Sequence, residues 1–417
     1  MTTGRILSAF VAITIVKIAV FVSLNATGRA APFVGDNAVD HYIPIAHRLL
    51  NEGRFNGPDS RLDSKVPPGY STVLATLLAV APRQYLLLAV VLQMIADLIT
   101  AVVLFWIGRR FVGVLEGALA GLVWLVYPPE VALSTWITAE TMFTTLFIVS
   151  IAVLLWSLTD KDAWRSFVAG ILLGATTLLR GTTIALPILF LPLALPRHAY
   201  RWATFLIVGF ALLIAPWAIR NRVVLQDPIV VAVGFGGAFM QGADEVAFTI
   251  DGKHVAFPQM YDSAARAGIV KPATDHEGAI DSWLFAVGMH RYVERFRTEP
   301  LSFIPFMAKK FLWLWFSTES GTFRGQLILA LCSLPFVLPG LVQVVRWART
   351  RTTFGIVVAI ICAYFIALHI ATGPLNRYML PIYPLLILGA STWFVSFVEA
   401  RLGSRHSELL RRVEIPV

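Results

Sequence analysis

Apolar positions along the chain fall into runs longer than soluble helices use, separated by short polar joints. Runs able to cross about 30 Å of hydrocarbon recur from one end to the other. We read ten spans, at about 6–26, 84–107, 112–128, 137–158, 166–180, 182–196, 202–218, 325–345, 354–372 and 379–399. Two stretches, 27–83 and 221–324, interrupt the series, and in them the apolar period becomes that of a surface helix. Tyr42, Ile43, Ala46, Leu49 and Leu50 recur at helical spacing against Asp40, His47 and Arg48. That pattern predicts an amphipathic helix over 40–50 lying in the membrane interface. Pro67-Pro68-Gly69-Tyr70 then opens an apolar stretch, 71–80, too short to cross, which predicts a second interfacial or re-entrant helix ending at Pro82. In the later stretch, 278–297 reads as another amphipathic helix. Residues 303–316 read as a segment along the interface, anchored by Lys309 and Lys310. Gly234-Phe235-Gly236-Gly237 has no strand-then-helix context and reads as a flexible loop.

Composition fits this picture. Of 417 residues 57% are hydrophobic and 14% charged, with mean hydropathy +0.72, against about 25% charged in soluble domains. The expected fold is an all-α polytopic membrane protein of about ten spans, with interfacial helices in two long loops on one face. The first span follows Arg5 and precedes small residues, as a signal peptide would, but its apolar run favours a retained signal-anchor helix. The net charge of +9 is carried by basic residues in alternate connections. Arg109 and Arg110, Lys161 and Arg165, Arg197 and Arg201, and Arg346, Arg349 and Arg351 mark one side, with Arg5 and the C-terminal tail. The positive-inside rule makes that side cytoplasmic and puts the two long loops outside. Scattered in this way, the basic residues form no nucleic-acid stripe. Cys332 and Cys362 both sit in apolar runs and read as free packing residues.

The informative residues are polar groups where a bilayer makes them costly. Arg180, Arg377 and Arg220 lie at the outer ends of spans, where basic residues are scarce. Three guanidiniums on one face would suit a phosphate, which they grip bidentately; the alternative is snorkelling to headgroups. Glu140 opens the fourth span. Asp36 and Asp40 follow the first, Asp40 placed where a helix N-cap would be. His41 could join Asp36 at a metal, although no ligand spacing supports one, and no cofactor is expected.

In order along the chain these motifs resemble the GT-C superfamily, polytopic transferases that take sugars from polyprenyl-phosphate carriers. The branch is that of protein O-mannosyltransferases and the lipid A aminoarabinose transferase. The residues carrying the resemblance are an acidic residue outside the first span, then Tyr42-x-x-x-Ala46-x-x-Leu49-Leu50 and Pro67-Pro68-Gly69-Tyr70. They continue with Tyr127-Pro128-Pro129, Thr138-Ala139-Glu140-Thr141, Leu178-Leu179-Arg180, and Pro216-Trp217-Ala218-Ile219-Arg220-Asn221. Glu299-Pro300-Leu301-Ser302-Phe303, leading to Lys310, and Arg377-Tyr378-Met379-Leu380-Pro381 complete the set.

The resemblance implies inverting transfer at the periplasmic face of a bacterial inner membrane, from a lipid-phosphate sugar to a glycan, glycolipid or protein hydroxyl. A first-loop Asp would be the general base. Arg180, Arg220 and Arg377 would hold the donor phosphate, and Tyr42, Tyr70, Tyr378 and Glu140 would contact substrate. The family's acidic residue stands four before the tyrosine, where this chain has Ala38, so both Asp36 and Asp40 remain candidates for the base. A polymerase or ligase of the O-antigen type, or a transporter or lipid flippase, are the competing readings. The former would need no first-loop carboxylate, and the latter would make no glycosidic bond.

Overall fold

The computed structural model describes residues 2–34, 41–55, 64–194, 200–245, 250–318 and 321–402 (of 250–255 and 402, the backbone only). Among them seven helices are long and apolar enough to cross a bilayer. These are α1 (Thr3–Ala26), α4 (Tyr85–Phe111), α7 (Glu140–Asp160), α10 (Tyr200–Arg220, running on as a π-turn), α15 (Phe323–Arg349), α16 (Thr353–Ala371) and α17 (Tyr383–Leu402). The shorter α5 (Val114–Val126) and α8 (Ala163–Leu179) also sit where spans are expected. The expected single span at 182–196 is corrected by the structure. Pro187 and Pro192, which lack an N–H, divide it into a 3-10 turn, the five-residue α9 (Leu186–Phe190) and a second 3-10 turn.

α7 is the axis of the bundle. It is buried except for the stripe Met142, Leu146, Val149, Val153 and Trp156 and its exposed last residues, and its hydroxyls fasten the helices around it. Thr145 pairs with Thr100 of α4 at 2.8 Å, Ser150 with Thr176 of α8 at 3.2 Å, and Ser157 accepts from the indole of Trp202 on α10 at 2.9 Å. Between apolar helices in lipid such bonds and close backbone packing carry association, because the hydrophobic drive is absent. α8 and α10 show the second device. A Cβ at Gly170 would collide with the Leu206 carbonyl, and one at Gly209 with that of Phe167. By contrast α1, α10 and α15 turn apolar side chains such as Val16, Leu212 and Leu338 outward.

The two long loops fold as layers over one end of the bundle. In the first, α2 (Tyr42–Glu52) and α3 (Pro68–Val80) pair as the amphipathic spacing requires. Ahead of them Phe33 is braced on the segment before α7, exchanging backbone bonds with Thr135 and Ile137 at 2.9 Å each. The second comprises α11 (Phe235–Gly242), α12 (Ile250–Arg266), α13 (Glu277–Thr298) and α14 (Pro300–Phe316). Here the flexible-loop reading of Gly234–Gly237 is corrected: Gly234, at φ +114, is the N-cap of α11. The glycines serve close approach instead, because Gly236 lies against the Asp281 backbone of α13, whose carboxylate accepts from the N–H groups of Gly234 and Gly237. α12, a mildly amphipathic helix, went unpredicted.

This outer layer docks on the end of α16. The Tyr292 hydroxyl lies 2.8 Å from the carbonyl oxygens of both Gly242 and Ala371, and the Lys310 ammonium donates to Gly242 O and to Tyr292 Oη, each at 2.7 Å. Burial, reinforced by the charge of Arg295, pushes Lys310 down to about 7. The folded value lies below the ordinary 10.5, so between these values the unfolded chain binds a proton that the folded chain does not. The junction should therefore gain stability as pH rises from about 7 towards 10.5 and be weakest below that window. Thermal midpoints of wild type and Lys310→Met, measured across it, should diverge in favour of wild type at higher pH. A constant difference would refute the lowered pKa of Lys310.

Candidate functional site

The layers enclose a cluster built by three breaks in helical structure. α8 stops at Leu179 because Arg180 turns extended (φ −149, ψ 127), which aims its side chain across the end of the bundle. α7 starts at Glu140, whose carboxylate sits in the first turn, where the helix dipole favours it. Between α16 and α17 the chain forms the 3-10 turn Asn376–Ile382. Asn376 fixes this turn, its buried amide donating to Trp315 O and Tyr383 Oη at 2.7 Å each.

These breaks bring four of the expected residues together. Glu140 is almost fully buried, and its Oε1 is shared by two guanidiniums, in close contact with Arg180 Nη1 and 3.7 Å from Arg377 Nε. Tyr378 lies beneath both, its ring centroid 5.1 Å from the Arg180 guanidinium and 5.2 Å from that of Arg377. Largely removed from water, these charges act on one another at greater strength than on a surface. Glu140 has its lone pairs committed to cations, an arrangement that suits an anchor and ill suits a proton acceptor.

The remaining expected residues fall in three groups. Tyr42 and Tyr70 meet edge to face, with centroids 5.0 Å apart, close enough to feel the charges of Arg180 and Glu140 respectively. The Tyr70 hydroxyl, fully buried, donates to Gln93 Oε1 at 2.7 Å, so it serves the scaffold. Arg220 is held on other partners. It lies over the rings of Trp217 and Phe55, at 4.8 and 5.8 Å, and donates to Asn221 Oδ1 at 3.0 Å. Asp36 and Asp40 lie outside the described residues. His41 is buried at φ 52 in the left-handed region, and among the described residues no group of three or more acidic, His or Cys side chains is placed to hold a metal.

Sequence reasoning missed a second polar network behind the first. The Lys17 ammonium on α1 bonds Asp97 on α4 at 2.9 Å. Asp97 faces Glu130 on the short α6 (Pro128–Leu133), and Glu130 Oε1 accepts from the Thr141 hydroxyl at 2.8 Å. Thr141 is the neighbour of Glu140, so the network reaches the start of α7. Lys17 and Asp97 each interrupt an apolar run, and that signal was legible. Also missed were Thr182 and His369, which line a cavity of about 10 Å³ together with Glu140, Arg180, Arg377 and Tyr378.

With this geometry described, the chain can be set beside known proteins. No protein-family model matches it, and no curated protein matches it. Solved structures do. ArnT from Cupriavidus metallidurans aligns over 92% of this chain and 76% of its own in the apo state, at 17% identity and TM-score 0.43. Its form bound to undecaprenyl phosphate gives 94%, 78%, 17% and 0.44. The archaeal oligosaccharyltransferase AglB from Archaeoglobus fulgidus, in complex with an inhibitory peptide and a dolichol-phosphate, aligns over 98% of this chain at 13% identity and TM-score 0.56. The chain spans about half of AglB, 52% of its length. At that identity the likeness is one of fold alone.

If Glu140 holds the cluster together, Glu140→Gln should destabilise the protein by about 3–5 kcal/mol, the cost of leaving a buried charge unpaired. Adding Arg180→Met should then cost less than the two single losses summed, by about 1–3 kcal/mol. Equilibrium unfolding in mixed micelles measures the cycle, and strict additivity would show that the pair does not act as a unit.

Proposed function

We propose that this chain is a membrane glycosyltransferase that moves a sugar from a polyprenyl-phosphate carrier to an acceptor hydroxyl at the outer face of the membrane. One observation carries the reading: a largely buried cluster in which two arginines, Arg180 and Arg377, lie on Tyr378 and share Glu140, at the end of the bundle under both outer layers. The fold shared with AglB, an oligosaccharyltransferase solved in complex with a dolichol-phosphate, supports it. Topology follows from the basic residues of the opposite end, among them Arg110 and Arg165, which share Asp160. That end is read as cytoplasmic and the site end as periplasmic, in a bacterial inner membrane.

In this mechanism the acceptor oxygen attacks the anomeric carbon and its proton passes to a carboxylate. The bond from that carbon to the phosphate oxygen breaks, and its electron pair leaves with the polyprenyl phosphate. The leaving phosphate gains charge in the transition state, which prepositioned guanidiniums stabilise without reorganising. Asp36 is the preferred base and Asp40 the alternative. Support comes from the residues flanking that segment: Phe33 is bonded to the strand of chain leading into Glu140, and Tyr42 stands by Arg180. Glu140 anchors the arginines. The acceptor is a glycan, glycolipid or protein hydroxyl, and no metal or cofactor takes part.

Transfer of labelled sugar from a synthetic polyprenyl-phosphate donor by purified protein tests the reading. Asp36→Asn should lower the rate about 10²–10⁴-fold, the usual contribution of a positioned base, with folding intact. Asp40→Asn should cost little, since Asn caps helices nearly as well as Asp; the reverse pattern would make Asp40 the base.

Arg377→Ala should cut turnover severely, and Arg377→Lys should restore only part, because a point charge replaces a planar fork. Near wild-type rates in Arg377→Ala would reduce the residue to a headgroup anchor.

A further inference from the structure

Behind the arginine cluster two carboxyl groups meet, each with one oxygen unsatisfied. Asp97 on α4 and Glu130 on α6 are both fully buried. Hydroxyls of α7 bring them to one place. Thr145 Oγ1 lies 3.0 Å from the carbonyl oxygens of Thr141 and of Ala96, the neighbour of Asp97, and Thr141 donates to Glu130 Oε1 at 2.8 Å. On the other side, Asp97 Oδ2 accepts from the Lys17 ammonium at 2.9 Å. The two remaining oxygens, Asp97 Oδ1 and Glu130 Oε2, are inaccessible to solvent and have no donor among the described residues. The side chains that carry them lie within hydrogen-bonding reach of each other.

The charges show the same deficit. Lys17 is paired with Asp97, and among the described residues no cation is paired with Glu130. Two carboxylates and one ammonium would leave a net negative charge where water does not reach, which a fold sustains poorly. Like charges side by side also resist joint ionisation. A single proton removes both faults, because it neutralises one group and turns one orphan acceptor into a donor. Glu130 is the member without a cation, and burial, with the Asp97 charge beside it, raises it well above the usual carboxylate range.

We propose that Glu130 is a neutral acid, donating its Oε2–H to Asp97 Oδ1 and accepting from Thr141 at Oε1, and that it thereby positions the start of α7. The chain then runs from the Lys17 ammonium through the Asp97 carboxylate and the Glu130 carboxyl to the Thr141 hydroxyl, with both orphan oxygens satisfied and no net charge. Glu130 is a positioning residue. It acts through Thr141 on the first turn of α7, from which Glu140 reaches Arg180 and Arg377. Its effect on turnover rests on the glycosyltransferase reading, whereas its protonation does not.

Infrared spectra and thermal midpoints of the purified full-length chain are measured beside the transfer assay. At neutral pH the wild type should show the C=O stretch of a buried carboxylic acid, and Glu130→Gln should lose it. The midpoints carry an independent sign. Below the ordinary Glu value of 4.5 folded and unfolded chains both hold the proton; above it only the folded chain does, so this group costs the wild type stability as pH rises. Glu130→Gln has no proton to lose, so its midpoint should gain on the wild type from pH 4.5 towards neutral. Glu130→Leu removes both hydrogen bonds and should lower turnover about 10-fold, the scale of one buried hydrogen bond. Glu130→Gln, which offers an N–H to Asp97 and an oxygen to Thr141, should recover most of that loss. An acid band that survives Glu130→Gln and disappears in Asp97→Asn would overturn the assignment to Glu130. No acid band in the wild type, or a midpoint difference that ignores pH, would overturn the neutral acid itself. Full turnover in Glu130→Leu would remove the positioning role. If the wild type transfers nothing, the function fails, and the spectra and midpoints still decide the protonation.

Discussion

Glu140 is a carboxylate almost wholly withdrawn from solvent, and the site is arranged around that constraint. A buried charge must be met by opposite charge and hydrogen bonds or the fold cannot hold it. Arg180 and Arg377 meet it from two different connections, so one ion-pair cluster fixes the end of α8, the start of α7 and the turn before α17 relative to one another. In two of the three segments Arg180 and Arg377 lie outside regular α-helix, and in the third Glu140 is the first residue of one. Their geometry is set by which side chain each must deliver to the centre. Such clusters are weak sources of net stability. Their use here is to hold two guanidiniums in a fixed fork.

The outer layer bears on this centre from the opposite side. The Tyr292 hydroxyl joins the carbonyls of Gly242 and Ala371, the latter two residues beyond His369 on the same helix, and Lys310 ties Gly242 to Tyr292. The layer α11–α14 is thus fastened to the end of α16 through side-chain bonds to backbone carbonyls, which are short-range and directional. The residues that line the cavity and those that clamp the layer share one helical turn.

How much of this the chain discloses depends on the kind of signal. Apolar period located nearly every membrane helix, because bilayer thickness fixes the length of the run. It failed at 182–196, where two prolines cost helix without lowering hydropathy. Glu140, Arg180, Arg377 and Tyr378 were legible because charged and aromatic groups at span ends contradict their surroundings. Lys17 and Asp97 contradict theirs more strongly, yet each reads as an isolated flaw until the structure pairs them. His369 gives no such contrast: a lone histidine in an apolar helix looks like any core residue, and only the absence of partners for its nitrogens sets it apart. α11 was hidden by its glycines, which suggest flexibility but in fact let two backbones touch. Asp36 and Asp40 lie outside the described residues, so the choice between them rests on spacing and chemistry.

The Lys17–Asp97 pair carries a consequence for biogenesis. Its members are separated by 80 residues, and ribosomes add about 5–20 residues per second, so the lysine reaches the bilayer several seconds before its partner exists. Alone at the centre of a helix, an ammonium disfavours insertion by roughly 2.5–3.5 kcal/mol. The first helix is therefore released into lipid most favourably as a hairpin with α4, after both have been synthesised. Pairing with Asp97 adds to the integration of α1, whose apolar run remains long enough to cross by itself.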